Sequence, residues 1–479
     1  LTTRGSRQGR KGPEAAVDAE ASEEDQPGLP TRIWRSVFRT PLTPRTERER
    51  KRVVLNHLVL HMRPVRVPER TIPFRHTFGL GGMSATLVGL LIFTGVLLMF
   101  VYEPSPDRAY GSIEALRRDV RFGGLVRNVH HWSANLLVFI TFLHLLRTFF
   151  TGAFHGDRQF NWVIGVLLLL VVLAANFTGY LLPWDQLSFW AITIVTGMLE
   201  YLPVMGEAVV RLARGGSEIG SATLINFYTF HTTVIPVTIV GLMAFHFWRV
   251  RKAGGVVIPR GPDEDPEERP TTVLFVPSLL MREFVTALLL VAAVMVLAVA
   301  LDAGLGAPAN PGMSPNPAKA PWYFLGLQEL LLHFHPTWAV VILPGLALFG
   351  LLAIPYLRYD PPMEGAWFVS ETGRSLAVAG ALAAVVLTPL WVLVDEYVTD
   401  WSGWLGGLPP GLSEGLVPAV VALGLTWAVI HLAGRRYGGN RQETLQAAFA
   451  FLATALAILT AVGVWFRGEG MALGWPWTP

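Results

Sequence analysis

Apolar residues in this chain are gathered into nine long runs, at 78–102, 131–150, 162–184, 222–248, 284–301, 338–357, 376–394, 416–433 and 446–466. A helix needs about 20 apolar residues to cross the hydrocarbon core of a bilayer. Most of the runs carry no charged residue; the second is interrupted by Arg147. One such run could be a buried core helix of a soluble protein. Nine in one chain predict an all-α, polytopic transmembrane helix bundle of about nine spans, with a lipid membrane as its solvent. The first span would serve as an uncleaved signal-anchor.

The polar stretches between the runs divide the chain. Residues 1–77 read as a polar, Arg-rich extension, with 1–30 expected to be disordered. Residues 78–252 hold four spans. A Pro-rich, mixed-charge linker (253–276) follows, then spans five and six (277–360) and three further spans (361–479) of unassigned role. The segments 185–220 and 302–337 are rich in Gly, Pro and aromatic residues. They are too apolar for free linkers, so short helices lying at the membrane surface are expected there.

Composition sharpens this picture. Charged residues make up 15% of the chain, against about 25% in soluble domains, which excludes a soluble multidomain enzyme. There is no cysteine, so this chain supplies no disulfide framework, thiol nucleophile, iron–sulfur cluster or thioether-bound haem. Residues 31–77 carry 12 of the 38 basic residues and three acidic ones. Ahead of a membrane chain, that bias points to a cytoplasmic face rather than to nucleic acid. Alternating nine spans from an inside N-terminus places 29 basic residues inside, counting Arg147 at the inner end of the second span, and nine outside. The C-terminus is then expected outside.

Ionisable residues within spans point to function. In the second span His130 and His144 are 14 residues apart, ~21 Å along one helix face. In the fourth, His231 and His246 are 15 apart, ~22 Å and about 60° off a common face. Two histidines on each of two helices running the same way make two bis-histidine sites, His130 with His231 and His144 with His246. Each site suits a haem iron held between helices, in a four-helix dihaem core. Hydrogen-bonded packing and a proton path are the blander readings. Zinc prefers three or four ligands at one depth. Gly81 and Gly95 in the first span, and Gly165 and Gly179 in the third, repeat the 14-residue interval, which lets a porphyrin or a helix approach the backbone. Arg127, Arg147 and Arg251 flank the histidines and are candidates for haem propionates or quinone. His131 reads as a polar neighbour; His333, His335 and His431 read as structural or interfacial.

The histidine pairs with their flanking arginines, "GYLLPWDQLSFW" (179–190) and "GAPANPGMSPNPAKAPWYF" (306–324) resemble the cytochrome b subunit of the quinol–cytochrome c oxidoreductases, over roughly 75–360. The 15-residue interval, "PWDQ" and "FYTFH" look more like the chloroplast and cyanobacterial branch, here with its two halves fused. The resemblance implies two non-covalent haem b groups and a quinol site on the outer face, between the loop after Gly179 and Trp322–Tyr323. One electron would go to a Rieske iron–sulfur protein and the other across the membrane to an inner quinone site, generating a proton gradient. It also implies a c-type cytochrome or equivalent acceptor, a homodimeric complex and, with the fused chain, a prokaryotic plasma membrane.

Two departures stand out. The family has Pro-Glu-Trp-Tyr before the sixth span, and its Glu is thought to take a quinol proton. Here Ala320, Pro321, Trp322 and Tyr323 stand there, and proline accepts no proton. Glu329 or Asp185 are the nearest substitutes; otherwise Glu329 is an interfacial surface charge. Relatives on the chloroplast branch also attach a further inner haem through a cysteine before "LGG", where this chain has Gly79. A dihaem b-type anchor of another dehydrogenase or reductase, and a nine-span transporter without haem, are the competing functions. The spans after about 360 match nothing in the family and are expected to pack against partners or lipid.

Overall fold

The structure is a computed structural model and describes residues 28–37, 46, 65–259, 270–359 and 362–475. Residues 1–55 and 56–479 form two compact units. The described helix of the first is α1 (Leu29–Val37). The expected disorder of 1–30 falls almost wholly outside the described residues.

Among the described residues, nine helices are long and apolar enough to cross a membrane, and the chain is a multi-pass membrane protein. They are α2 (Leu80–Met99), α4 (Gly123–Phe150), α5 (Gln159–Leu181), α8 (Ser221–Lys252), α9 (Leu280–Ala300), α11 (Thr337–Tyr356), α12 (Glu371–Tyr397), α13 (Gly411–Tyr437) and α14 (Arg441–Phe466). Each apolar run of the sequence lies within or across one of them. The helices often begin earlier, because polar first turns are stabilised by caps. Ser370 accepts from Gly373 N ahead of α12, and Asn440 and Glu443 form a capping box on α14. Shorter helices lie between the spans: α3 (Ala109–Asp119), α6 (Gln186–Met198), α7 (Gly206–Arg214) and α10 (Trp322–His333). The fold is thus nearly all-helical. One feature the hydrophobic pattern does not foretell is a two-stranded ribbon, β1 (Arg66–Pro68) antiparallel to β2 (Thr272–Leu274), which ties the start of the first span to the linker.

Helices in lipid gain little from burying apolar surface, so they associate by close packing and satisfied polar groups. The core of the first half joins Leu87, Val129, Leu137, Val172, Ile239 and Val294 from α2, α4, α5, α8 and α9. Asn128 pins α4 to α9, donating to Ala298 O at 2.9 Å and accepting from Ala303 N at 3.0 Å. In the second half α12 and α14 touch backbone to backbone. A Cβ on Gly380 would lie 2.3 Å from Ala447 O, and a methyl there would overpack the crossing by about 1–3 kcal/mol.

Among the described residues, four helical turns widen to π-helix, at Phe230–Val234, Thr337–Ile342, Gly411–Leu416 and Val462–Phe466. Three of them run into a proline: Pro236, Pro344 and Pro418. A proline offers no N–H to the carbonyl four residues back and crowds it. The released carbonyl of Glu414 is taken up by His335 N at 2.9 Å.

Candidate functional site

α2 packs on α4, and α5 on both α4 and α8, which brings the four histidines of α4 and α8 together in pairs. The ring centres of His130 and His231 are 6.2 Å apart, and those of His144 and His246 are 6.4 Å apart. An unbroken α-helix would leave His246 about 60° off the face of His231. The π-turn at Phe230–Val234 contains His231 and takes up one extra residue. The 15-residue interval therefore aligns with the 14-residue interval of α4.

The four glycines singled out in the sequence face these rings. A Cβ on Gly95 would lie 3.3 Å from His130 Cε1, one on Gly81 3.4 Å from His144 Cε1, one on Gly165 3.5 Å from His246 Cε1, and one on Gly179 2.5 Å from His231 Cε1. Each histidine is thus backed by a glycine of α2 or α5 and faces its partner across the bundle. The tautomers are set at one level. Thr94 Oγ1 donates to Leu90 O at 2.8 Å, so it accepts from His130 Nδ1 at 2.9 Å. His231 Nδ1 donates to Ala175 O at 3.0 Å, with Thr178 Oγ1 at 3.3 Å. With Nδ1 carrying the proton, Nε2 keeps its lone pair for a ligand. Sequence reasoning missed Thr94 and Thr178. Their signal was the repeated Phe-Thr-Gly at 93–95 and 177–179.

These donors fit a haem iron. A metal held between two imidazoles at about 2 Å from each nitrogen separates the ring centres by about 6 Å. Among the described residues no group of three His, Cys, Asp or Glu side chains could hold a metal ion, which leaves the paired imidazoles as the donor set.

The arginines are placed less simply. Arg127 donates to the carbonyls of Ala303 and Gly304. Arg147 is buried and donates to His76 O at 3.1 Å. Arg251 keeps a buried Nε with no protein hydrogen-bond partner. Of the remaining histidines, His131 lies edge-on to Trp132, and His431 stacks on Trp427 with ring centres 4.9 Å apart.

A cavity of 980 Å³ opens beside the first histidine pair. His130, His231, Gly95 and Gly179 line one end of it; Asp185, Pro321, Trp322 and Tyr323 line another part, with Arg127 and Tyr180. Its shape depends on joining two segments more than 100 residues apart. Asp185 caps α6 by accepting from Ser188 N at 2.9 Å, and its other oxygen accepts from Gly306 N at 2.9 Å. Gln186 accepts from Asn310 N at 2.6 Å, and Ala309 N donates to Trp184 O at 3.2 Å. Pro321 opens α10 as its N-cap, and Trp322 Nε1 donates to Asn135 Oδ1 at 2.7 Å.

Glu329 is elsewhere. It is fully buried, is not among the residues lining the cavity, and is paired with Arg467 at 2.6 Å. Burial alone would raise its pKa, but hydrogen bonds from His333 and Arg467 outweigh that and hold it below the ordinary carboxylate value. It is therefore no surface charge. His333, at the end of α10, lies between Glu329 (3.4 Å) and Asp395 (2.7 Å).

Residues 70–254 match the model of the family Cytochrome b/b6/petB. The chain is 42% identical over 175 residues to cytochrome b6 of Synechococcus elongatus and of Tupiella akineta, covering 36% of this chain and 81% of each relative. Its fold is also similar to a chain of a solved structure titled "Hyperthermophilic respiratory Complex III", with TM-score 0.60 and 22% identity, covering 87% of this chain and 98% of that one. By its histidine pairs, its glycine pairs and these likenesses, the chain belongs to the cytochrome b/b6 family, whose membership implies haem b.

Proposed function

We propose that this chain is the membrane cytochrome b subunit of a quinol oxidoreductase, and that quinol is oxidised in the cavity beside His130 and His231. The observation that supports this most directly is the continuity of that cavity, which runs from the first histidine pair to Asp185 and Trp322–Tyr323. His130 with His231, and His144 with His246, would hold two haem b groups. When bound, these supply one-electron transfer between the two levels. The backing glycines leave room for the four imidazoles, and Thr94 and Ala175 fix the tautomers of His130 and His231.

Within the cavity, Tyr323 and Trp322 shape one wall for a flat ring, and Asp185 is the carboxylate placed to take a proton. Its oxygens accept two backbone N–H groups and retain lone pairs for a quinol hydroxyl. Arg127 completes the polar wall. A two-electron donor feeding a one-electron conduit needs a second acceptor. With no cysteine in the chain, that acceptor is a partner: a Rieske iron–sulfur protein, followed by a c-type cytochrome or its equivalent. The charge asymmetry supports an orientation with the His144–His246 end, the inner quinone site and the N-terminus toward the cytoplasm, in a homodimeric complex of a prokaryotic plasma membrane.

The test is an optical redox titration of membranes containing the chain, with haem counted per chain and a short-chain menaquinol or ubiquinol as reductant. Two b haems with separate midpoints and reduction by quinol support the proposal. A chain without haem, or haems that no quinol reduces, overturns it.

A further inference from the structure

The last three spans have no counterpart in the matched family segment, which ends at residue 254, and they are not left to lipid. Two of them, α12 and α14, pack on α10, the helix whose first turn carries Trp322 and Tyr323 into the cavity. The contact runs the length of that helix and the loop before it. Gly470 N donates to Asn316 Oδ1 at 2.5 Å, and Lys319 Nζ donates to Val464 O at 3.0 Å. Gly463 admits Leu325, whose Cβ would lie 3.1 Å from an added methyl, and Gly326 lies against Thr460 and Leu456 of α14. At the far end Arg467 closes the contact. Its Nε and Nη2 engage Glu329, its Nη1 reaches Glu396 Oε2 at 2.9 Å, and the same Nη1 donates to Met471 O at 3.0 Å. Arg467 and Glu329 are both almost wholly removed from solvent.

A buried ion pair is poor evidence of net stability, because desolvation offsets most of its attraction, but it is stringent about geometry. A forked guanidinium on a carboxylate fixes the helix in both translation and rotation. Gln328 extends that control to the start of the helix, accepting from Ala320 N at 2.7 Å and donating to Ala318 O at 2.8 Å. We propose that the C-terminal end of α14, through Arg467 on Glu329, is a positioning clamp for the quinol cavity. Arg467 and Glu329 act on the reaction by holding Trp322 and Tyr323 in place, without touching the substrate.

This inference rests on the cavity's being the quinol site. It is tested in membranes holding the full-length chain, with quinol-driven reduction of the b haems as readout and haem count and inner-haem midpoint as internal controls. Arg467→Met is expected to lower the rate at saturating quinol tenfold or more, since a shift of about 1 Å at a reacting group costs up to 100-fold. Both haems and the inner midpoint stay unchanged, and Arg467→Lys recovers part of the rate. A wild-type rate in Arg467→Met overturns the clamp. If that variant fails to accumulate, Gly463→Ala keeps every charge, displaces Leu325 by a few tenths of an ångström and is read by the same two outcomes. A wild-type chain whose haems no quinol reduces is a different failure, that of the functional proposal itself.

Discussion

The two halves of this membrane protein bury ionisable groups in opposite ways. In α4 and α8 four imidazoles face one another in pairs, with no carboxylate beside them, and at His130 and His231 the held Nδ1 leaves Nε2 its lone pair. Around α10, by contrast, Glu329, Asp395 and Glu396 are met by Arg467 and His333, and each of the two cations touches two carboxylates. Unsatisfied polar capacity is costly in a low-dielectric interior. The first arrangement leaves donors that a ligand would complete, and the second completes itself. The contrast distinguishes a binding site from a brace without reference to conservation.

The largest effect expected is at the binding half. His231→Leu should lose one haem of two and leave the His144–His246 haem, as counted by optical spectra per chain. Retention of both haems would break the pairing. Next, the glycines should rank by the space behind each ring. Gly179→Ala, whose methyl would lie 2.5 Å from His231 Cε1, should at least halve occupancy of that haem. Gly95→Ala and Gly81→Ala, at 3.3 and 3.4 Å, should shift midpoints and keep the haems. Gly165→Ala, at 3.5 Å, should be nearly silent.

The brace should show itself in pH dependence. Burial lowers the pKa of His333, but hydrogen bonds to Asp395 and Glu329 outweigh it and raise the net value. A raised folded pKa gives stability that is complete below about 6.5, the ordinary histidine value, and is lost as pH rises through the folded one. Glu329, held low, contributes above its ordinary value and loses that contribution as pH falls through its folded one. Thermal stability in detergent should therefore form a plateau with an acid and an alkaline limb. His333→Gln should flatten the alkaline limb and keep the acid one. The smallest effect should come from Lys319→Met, which removes one bond to Val464 O. Quinol turnover should fall about twofold, with unchanged haem content.

Most of the binding half was legible in the sequence, because its signals are intervals within single helices. The 14-residue spacings of His130 with His144, Gly81 with Gly95 and Gly165 with Gly179 carry depth and face directly. The brace was not legible. Glu329 and Arg467 are 138 residues apart, and nothing in the local pattern around either names the other, so Glu329 read as a substitute proton acceptor or else a surface charge. Asp185 was legible as a candidate, but its double acceptance from Ser188 N and Gly306 N depends on a loop pairing that no periodicity encodes. The β1–β2 ribbon escaped for the same reason: three residues on either side of four spans are too few to show a period.

The widened turn before Pro236 carries a consequence for how such chains tolerate insertion. An ordinary helix transmits one added residue to everything downstream as a 100° rotation and a 1.5 Å advance. Here the extra residue between His231 and His246 is confined to the five residues Phe230–Val234, and beyond them the helix resumes as if it had not been added. The spacing of two ligands in the chain is thereby uncoupled from their spacing in the membrane. A variant that deletes one residue of that turn and replaces Pro236 with Ala should therefore present both rings unchanged, from a helix one residue shorter.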